Sequence, residues 1–197
     1  MSNSNDMSAP NAAASDQPQP AHSEWREWLS THGPKLLLFA RQQARSQEDA
    51  EDILQDAVVK LVDKVRKGEF VGGSDAWQAY LYTTIRRLAI DLSRRTDRRK
   101  KREDVVSSSA DDMGNHPWFE GDSSDDEVRE QLEDKLKQLP PKFAEVIVMK
   151  IWGEKTFAEI GEALDISQNT AASRYRYGLE ALKKSLAGAR RRGDLSI

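Results

Sequence analysis

The chain has 197 residues, of which 38% are hydrophobic and 32% are charged, and its formal net charge is −3. It contains no cysteine, which excludes a disulfide framework, a zinc site built on thiolates and a thiol redox switch. Because no apolar run is long enough to span a membrane and the N-terminus lacks a signal-peptide pattern, we expect a cytoplasmic protein without membrane insertion.

The N-terminal segment leads into a first helical region. Residues 1–22 are rich in Ser, Asn, Ala and Pro and show no periodicity, which predicts a disordered tail. After residue 22, Trp25 and Trp28 follow helical spacing, and the pair Gly33 and Pro34 predicts a break before further apolar residues.

An acidic amphipathic helix follows. Ser46 with Asp49 forms an N-cap signal, and an apolar stripe runs from Ile53 to Val65. Three carboxylates recur at intervals of four: Glu48, Asp52 and Asp56. A metal site of this kind would normally need His or ligands from a second helix, and none is evident. The acidic face is therefore either solvated or, as we favour, a docking surface for a basic or polar partner.

A glycine-containing loop precedes a long basic helix capped by Ser74 or Asp75. Its apolar face centres on Leu81, and the opposite face carries arginines with tyrosines on the flanks. Arginines can hold phosphates and aromatic rings can stack on unpaired bases, so this helix suits DNA that is being opened. The alternative is that the tyrosines cover the core and the arginines are solvated; for Trp77 we favour a core position.

Charge is strongly partitioned in the middle of the chain. Residues 86–102 contain nine Lys or Arg and two Asp, whereas residues 103–134 contain twelve Asp or Glu and one Arg. The basic block suits nucleic acid and the acidic block should repel it. Residues 103–126 are also rich in Ser and Asp without a helical stripe, which predicts a flexible linker.

The C-terminal part predicts further helices that end in a helix-turn-helix. Pro140 and Pro141 start one of them. Thr156 with Glu159 forms a capping box, a turn follows the next short helix, and Ser167 caps the last one. Small polar side chains flanked by arginines form the outer face of this last helix, as in a helix that reads the DNA major groove. The alternative is an amphipathic hairpin with a solvated basic face.

Two segments resemble regions of bacterial sigma factors. Region 2 is similar to residues 48–62, EDAEDILQDAVVKLV, followed by residues 77–95, WQAYLYTTIRRLAIDLSRR. Region 4 is similar to residues 136–186, which contain TFAEIGEALDISQNTAASRYRYGLEALKKSL. With only an acidic linker between them, the layout resembles the extracytoplasmic-function group of the sigma-70 family.

This resemblance implies an all-α fold of two small domains. The implied boundaries are a disordered tail at 1–22, a region 2-like domain at 23–102, the linker at 103–126, a region 4-like domain at 127–190 and a tail at 191–197. It further implies a protein without catalysis or cofactors, which binds core RNA polymerase and promoter DNA and promotes melting. An anti-sigma factor is a further candidate partner.

The resemblance also assigns residues to three surfaces. Docking on the beta-prime clamp helices, with the beta subunit as a second contact, would use Asp49, Asp52, Ile53, Gln55 and Asp56. Reading and melting of the −10 element would use Trp77, Tyr80, Tyr82, Arg86, Arg87, Arg94 and Arg95. Recognition of the −35 element would use Ser167, Asn169, Thr170, Ser173, Arg174, Arg176 and Tyr177.

Some residues depart from the family pattern, and two other functions were weighed. Arg87 stands where the family usually has Asn, and Ala171 and Ala172 replace a common Val-Lys pair. A conventional helix-turn-helix regulator would explain the C-terminal half but leaves the acidic and basic helices unexplained. A nucleic-acid enzyme would need a metal site on the acidic helix. The three histidines, His22, His32 and His116, have no nucleophile or second ligand at a recognisable spacing, and there is no phosphate-binding loop to support catalysis.

Overall fold

A computed structural model describes residues 22–103, 117–119 and 126–192. This part of the chain forms helices and no strands, which confirms the all-α prediction. The helices are α1 (His22–Gln43), α2 (Gln47–Arg66), α3 (Ser74–Glu103), α4 (Asp126–Lys137), α5 (Pro141–Ile151), α6 (Phe157–Leu164) and α7 (Gln168–Arg192).

The first three helices pack against one another. Each contributes the apolar stripe that its sequence predicts, because residues three and four apart share one face of a helix. The side chains buried between them include Leu36 and Phe39 of α1, Ile53 and Leu61 of α2, and Leu81 and Ile85 of α3.

Helix α1 is continuous, so the predicted break at Gly33 and Pro34 was wrong. Pro34 lies on the exposed side, where the loss of one backbone N–H is tolerated more easily than in the core. Aromatic and apolar residues before and after Pro34 pack into the same hydrophobic core. Trp25 stacks on Trp77 at a centroid distance of 4.0 Å, and Leu36 is fully buried. Packing therefore holds the helix together across the proline.

The central element of the second half is α5. Pro140 is its N-cap and Pro141 its first residue, which confirms the predicted start. Its residues from Ala144 to Met149 are all buried, because α5 packs against α1, α4, α6 and α7. A helix that is covered on all sides is expected to be apolar all round, and the one charged residue in this run is Glu145.

The two halves of the chain are in contact. Helix α1 packs on α5, and α3 packs on α6. The predicted linker 103–126 is partly ordered: its first residue ends α3, its last begins α4, and residues 117–119 are also described. Trp118 is buried, and Arg41 Nη1 donates a hydrogen bond to its carbonyl oxygen at 3.2 Å. Residues 1–21 of the predicted N-terminal tail and most of the predicted linker lie outside the described residues, and His22, the last residue of that predicted tail, begins α1.

Capping interactions begin the helices as the sequence predicts. Ser46 Oγ accepts the Asp49 N–H at 3.0 Å at the start of α2. At the start of α6, Thr156 Oγ1 accepts the Glu159 N–H, and the Glu159 carboxylate accepts the Thr156 N–H at 2.7 Å. Burial alone would raise the pKa of Glu159. Hydrogen bonds from Thr156 and the ammonium group of Lys155 outweigh burial and lower this pKa to about 2.

The capping box should make stability depend on pH. The pKa of Glu159 is lower in the folded chain than its ordinary value of 4.5, so its charge stabilises the fold above that value. This stabilisation is lost as the pH falls towards 2. We therefore expect Glu159→Gln to reduce the free energy of unfolding at pH 6 by about 1 kcal/mol, and by less at pH 3. Urea unfolding at each pH measures this, with Glu162→Gln on the same helix as control; equal pH dependence in both variants would contradict it.

Candidate nucleic-acid interface

The acidic face of α2 is open to solvent. Asp52, Gln55 and Asp56 are all exposed on it, and Asp49 is half-buried next to the N-cap. Ile53 lies on the opposite side of the helix, where only 4% of its surface is accessible. The structure therefore brings Asp52, Gln55 and Asp56 together on one surface, and it places Ile53 in the core that supports them.

The start of α3 is anchored by aromatic contacts. Trp77 is buried in the stack with Trp25, as favoured from the sequence, so it holds the N-terminal end of α3 in place. Tyr80 is half-buried with its ring edge-on to Phe70 at a centroid distance of 5.6 Å. In the loop before α3, Val71 is 93% exposed. This loop presents an apolar side chain to solvent beside a partly accessible tyrosine.

Tyr82 lies at the contact between the halves and is only 1% exposed. Its hydroxyl oxygen would be 2.7 Å from a Cβ atom on Gly153, and the carbonyl oxygen of Met149 would be 2.6 Å from the same atom. Glycine is therefore needed at this close approach of α3 to the segment after α5. Burial raises the pKa of Tyr82 well above its ordinary value, so the hydroxyl stays neutral.

A buried carboxylate joins the predicted DNA-binding helices. Glu145 of α5 is 6% exposed, and its two oxygens face arginines from different helices. Arg86 Nε of α3 lies 3.4 Å from Oε2, and Arg174 Nη1 of α7 lies 3.3 Å from Oε1. We call these three residues the Glu145 junction. By contrast, the predicted site residues Arg87, Arg94 and Arg95 are exposed along α3.

The turn between α6 and α7 has the geometry of a helix-turn-helix. Asp165 adopts the left-handed conformation with φ 56°, which Asp tolerates better than most residues. The Ile166 N–H donates to the Gly161 carbonyl at 2.9 Å, and the chain passes so close that a Cβ on Gly161 would lie 2.6 Å from the Ile166 carbonyl oxygen. Ser167 Oγ then accepts the Thr170 N–H at 3.0 Å and caps α7.

The outward side of α7 carries the residues predicted to read the −35 element. Five are exposed, namely Ser167 at the N-cap, Asn169, Thr170, Arg176 and Tyr177, whereas Ser173 and Arg174 are half-buried. The Arg176 guanidinium lies 5.0 Å from the centre of the Tyr177 ring, which keeps both side chains at the surface. A surface cavity of about 400 Å³ between α5 and α7 is lined by Lys142, Phe143, Asn169, Thr170, Ser173, Arg174 and Tyr177.

Comparison with known proteins matches each half of the chain to a known protein family. The model of Sigma-70 region 2 matches residues 28–99, and that of Sigma-70, region 4 matches residues 136–184. An RNA polymerase sigma-E factor of Streptomyces avermitilis is 30% identical over 83% of this chain and 85% of its own length. The ECF RNA polymerase sigma factor SigW of Bacillus subtilis is 30% identical over 70% of this chain and 75% of its own length.

The chain belongs to the extracytoplasmic-function group of the sigma-70 family. It is thus a sigma factor, which binds core RNA polymerase, directs it to promoters and promotes DNA melting. Among solved structures, the sigma factor RpoE of Bartonella quintana, determined in complex with the anti-sigma factor NepR, has the same fold with a TM-score of 0.64. That likeness covers 84% of this chain and 98% of RpoE at 20% identity.

Two exposed residues of the sigma factor were missed from the sequence. Val59 is 59% exposed and lies three residues after Asp56 and seven after Asp52, so it continues the acidic face of α2. This spacing could have revealed it. Lys142 lines the cavity beside the recognition helix, although it belongs to α5. Only tertiary packing brings Lys142 to α7.

A metal site was the alternative weighed for the acidic face of α2. Among the residues that the structure describes, no three His, Asp or Glu side chains cluster closely enough to hold a metal ion. None of the described helices is long and apolar enough to cross a membrane.

The turn of the helix-turn-helix gives a stability prediction. We expect Gly161→Ala to lower the free energy of unfolding by about 1–3 kcal/mol, because its Cβ meets the Ile166 carbonyl oxygen. Asp165→Gly is the matched control at the other end of the turn, where the left-handed conformation suits glycine; we expect a change of less than about 1 kcal/mol. Chemical denaturation measures both, and an equally stable Gly161→Ala variant would contradict the close approach.

Proposed function

We propose that three separate surfaces of this sigma factor divide the work of promoter recognition. The acidic face of α2 docks on the clamp helices of the beta-prime subunit, with the beta subunit as a second contact. Helix α3 and the loop before it read and open the −10 element. Helix α7 reads the −35 element in the major groove. The chain thus works without catalysis of its own, in the cytoplasm, where polymerase and chromosome meet.

The observation that carries this assignment is the order of the surfaces in one chain. An exposed acidic face on α2 and an exposed cationic stripe on α3 precede a helix-turn-helix with an exposed polar and cationic face. A conventional helix-turn-helix regulator would need only the last of these. The match of residues 28–99 to region 2 favours the sigma factor over that alternative.

The docking surface is the part of α2 where carboxylates and an apolar side chain occur together. Asp52, Gln55, Asp56 and Val59 fall on one exposed face. A rim of charge around a small apolar contact is a common composition for a protein interface. Ile53 contributes by packing behind this face, so its effect on binding would act through the position of α2.

The DNA-binding surfaces rely on exposed cations. On α3, Arg87, Arg94 and Arg95 can contact phosphates without any rearrangement, whereas Arg86 is held by Glu145. On α7, Arg176 is exposed, whereas Arg174 is held by the same carboxylate. Phosphate contacts fix the position on DNA and base contacts give sequence specificity, so the short polar residues of α7 are the candidates for base reading.

Two further elements of the proposal concern domains and regulation. Residues 23–102 and 127–190 act as the two DNA-binding domains, with 103–126 as the connection between them. An anti-sigma factor is a candidate regulator. RpoE, which has the same fold as this chain, was solved in complex with the anti-sigma factor NepR, and this supports the idea.

The proposed function is tested by transcription with purified core RNA polymerase on a genomic fragment library. We expect discrete start sites that depend on the added chain. Asp52→Ala combined with Asp56→Ala should weaken co-purification with the core enzyme at least about tenfold without changing thermal unfolding, because both side chains are exposed. Glu69→Ala, an exposed acidic residue beyond α2, is the control. Unchanged co-purification of the double variant would refute docking through α2.

The role of Arg176 is tested by the salt dependence of promoter binding. If its guanidinium contacts a phosphate, Arg176→Ala should weaken binding of the holoenzyme to a cognate promoter fragment. It should also make the slope of log affinity against log salt shallower by about 0.9. Lys183→Ala, also exposed on α7, controls for the loss of one positive charge. Fluorescence anisotropy measures both, and equal behaviour of the two variants would exclude a phosphate contact specific to Arg176.

A further inference from the structure

We propose that Lys142 of α5 binds a backbone phosphate beside the −35 element, so that α5 and α7 hold one DNA strand in the cavity between them. This inference rests on the proposed function, in which α7 reads the −35 element in the major groove. It extends the DNA-binding surface to a helix that lies outside the helix-turn-helix.

A helix that lies in the major groove has a DNA backbone on each side. The groove is about 12 Å wide and a helix with its side chains is about 10–12 Å across, so both flanks of the helix come close to phosphates. Arg174 and Arg176 are separated by about 200° around α7 and therefore lie on opposite flanks. Arg176 is exposed and can meet one strand. Binding of the second strand calls for a cation on the flank of Arg174.

On that flank, Arg174 already has an anionic partner. Its Nη1 donates to Oε1 of Glu145 at 3.3 Å, and Glu145 is a buried residue of α5. Both residues belong to the second half of the chain, so this contact does not depend on the first half. The half-buried Arg174 guanidinium is therefore less available to a phosphate than the exposed guanidinium of Arg176.

Lys142 supplies an available cation on the same flank, from the first turn of α5. Its side chain is exposed, and its Nζ lies 5.2 Å from the centre of the Phe143 ring at the edge of the cavity. Lys137, Lys155 and Lys184 of the same half each form an ion pair with a Glu four residues away. Within the described part of the chain, no such pair holds Lys142. Its ammonium group can therefore turn to a phosphate without losing a carboxylate partner.

The cavity between α5 and α7 has a lining that suits a phosphate strand. Its volume is about 400 Å³, and none of the described residues that line it is Asp or Glu. Asn169, Thr170 and Ser173 add side chains that donate hydrogen bonds, as residues of these types often do to DNA phosphates. Since one wall belongs to α5 and the other to α7, a backbone in this cavity contacts both helices.

The arrangement separates positioning on DNA from sequence reading. Phosphate contacts fix the register and orientation of a protein on the duplex but carry no sequence information. Lys142 and Arg176 then hold the two strands on either side of α7, and the short polar residues between these flanks face the base edges.

The placement of Lys142 is tested by directed DNA cleavage in the complex of holoenzyme and promoter. Because the chain contains no cysteine, Lys142→Cys and Arg176→Cys each provide a single thiol for an iron chelate that cuts nearby DNA. The probe is a promoter fragment recovered by transcription of the genomic library. We expect both chelates to cut the −35 element, on opposite strands. Lys183→Cys, about 20 Å further along α7 than Thr170, should cut that element less than either.

A second measurement tests the charge of Lys142. Lys142→Met keeps an unbranched side chain and removes the charge, and Lys183→Met does the same at an exposed lysine away from the reading face. We expect Lys142→Met to weaken binding of the holoenzyme to the promoter fragment roughly threefold to tenfold, and to make the slope of log affinity against log salt shallower by about 0.9. Lys183→Met should change neither. Lys142→Arg should keep both, because a guanidinium also binds phosphate.

The outcomes separate this inference from the proposed function. Equal salt slopes for Lys142→Met and Lys183→Met would overturn the phosphate contact of Lys142. Cleavage of the −35 element by the chelate at position 176 but not by the one at 142 would also overturn it, and would leave the reading by α7 intact. If neither chelate cuts that element although the chain directs transcription, the assignment of α7 to the −35 element fails, and this inference fails with it.

A chain that directs no transcription would refute the proposed function, and the phosphate contact is then measured without polymerase. The probe is a short random-sequence duplex bound to the full chain. Weaker binding of Lys142→Met than of Lys183→Met would support the contact, and equal binding would overturn it.

Discussion

The arrangement of the two halves depends on one buried carboxylate. Glu145 lies in the run of α5 that is otherwise apolar, and it is neutralised only because Arg86 and Arg174 reach it from either side. Replacing this carboxylate by an apolar side chain would suit a permanent core better, since buried ion pairs seldom add net stability. Its two charge-assisted contacts instead fix the positions of α3 and α7 relative to α5.

Local features of the fold could be predicted because their causes lie within a few residues. The capping box at Thr156 and Glu159 and the cap at Ser46 depend on side chains three residues apart, so sequence spacing alone reveals them. The exposed carboxylates of α2 follow for the same reason, since helical periodicity separates Asp52 and Asp56 from the buried stripe.

Features that depend on distant partners could not be predicted in this way. A helical wheel gives α3 one buried face around Leu81, but Tyr82 and Arg86 form a second one against α5 and the segment after it. Likewise, an acidic segment rich in Ser and Asp indicates a free linker, and only the folded structure shows that Trp118 is buried and that its carbonyl oxygen accepts a hydrogen bond from Arg41. Adjacent aromatic residues in such a segment were the available signal.

The two contacts of the Glu145 junction differ in which parts of the fold they connect. Arg174 and Glu145 both belong to the second half, whereas the contact of Arg86 with Glu145 joins the two halves. A phosphate offers the same charge-assisted hydrogen bonds that the carboxylate provides. Arg86 and Arg174 therefore meet in Glu145 the same kind of anionic partner that a phosphate oxygen provides, so residues predicted to bind DNA can be partly buried in this fold.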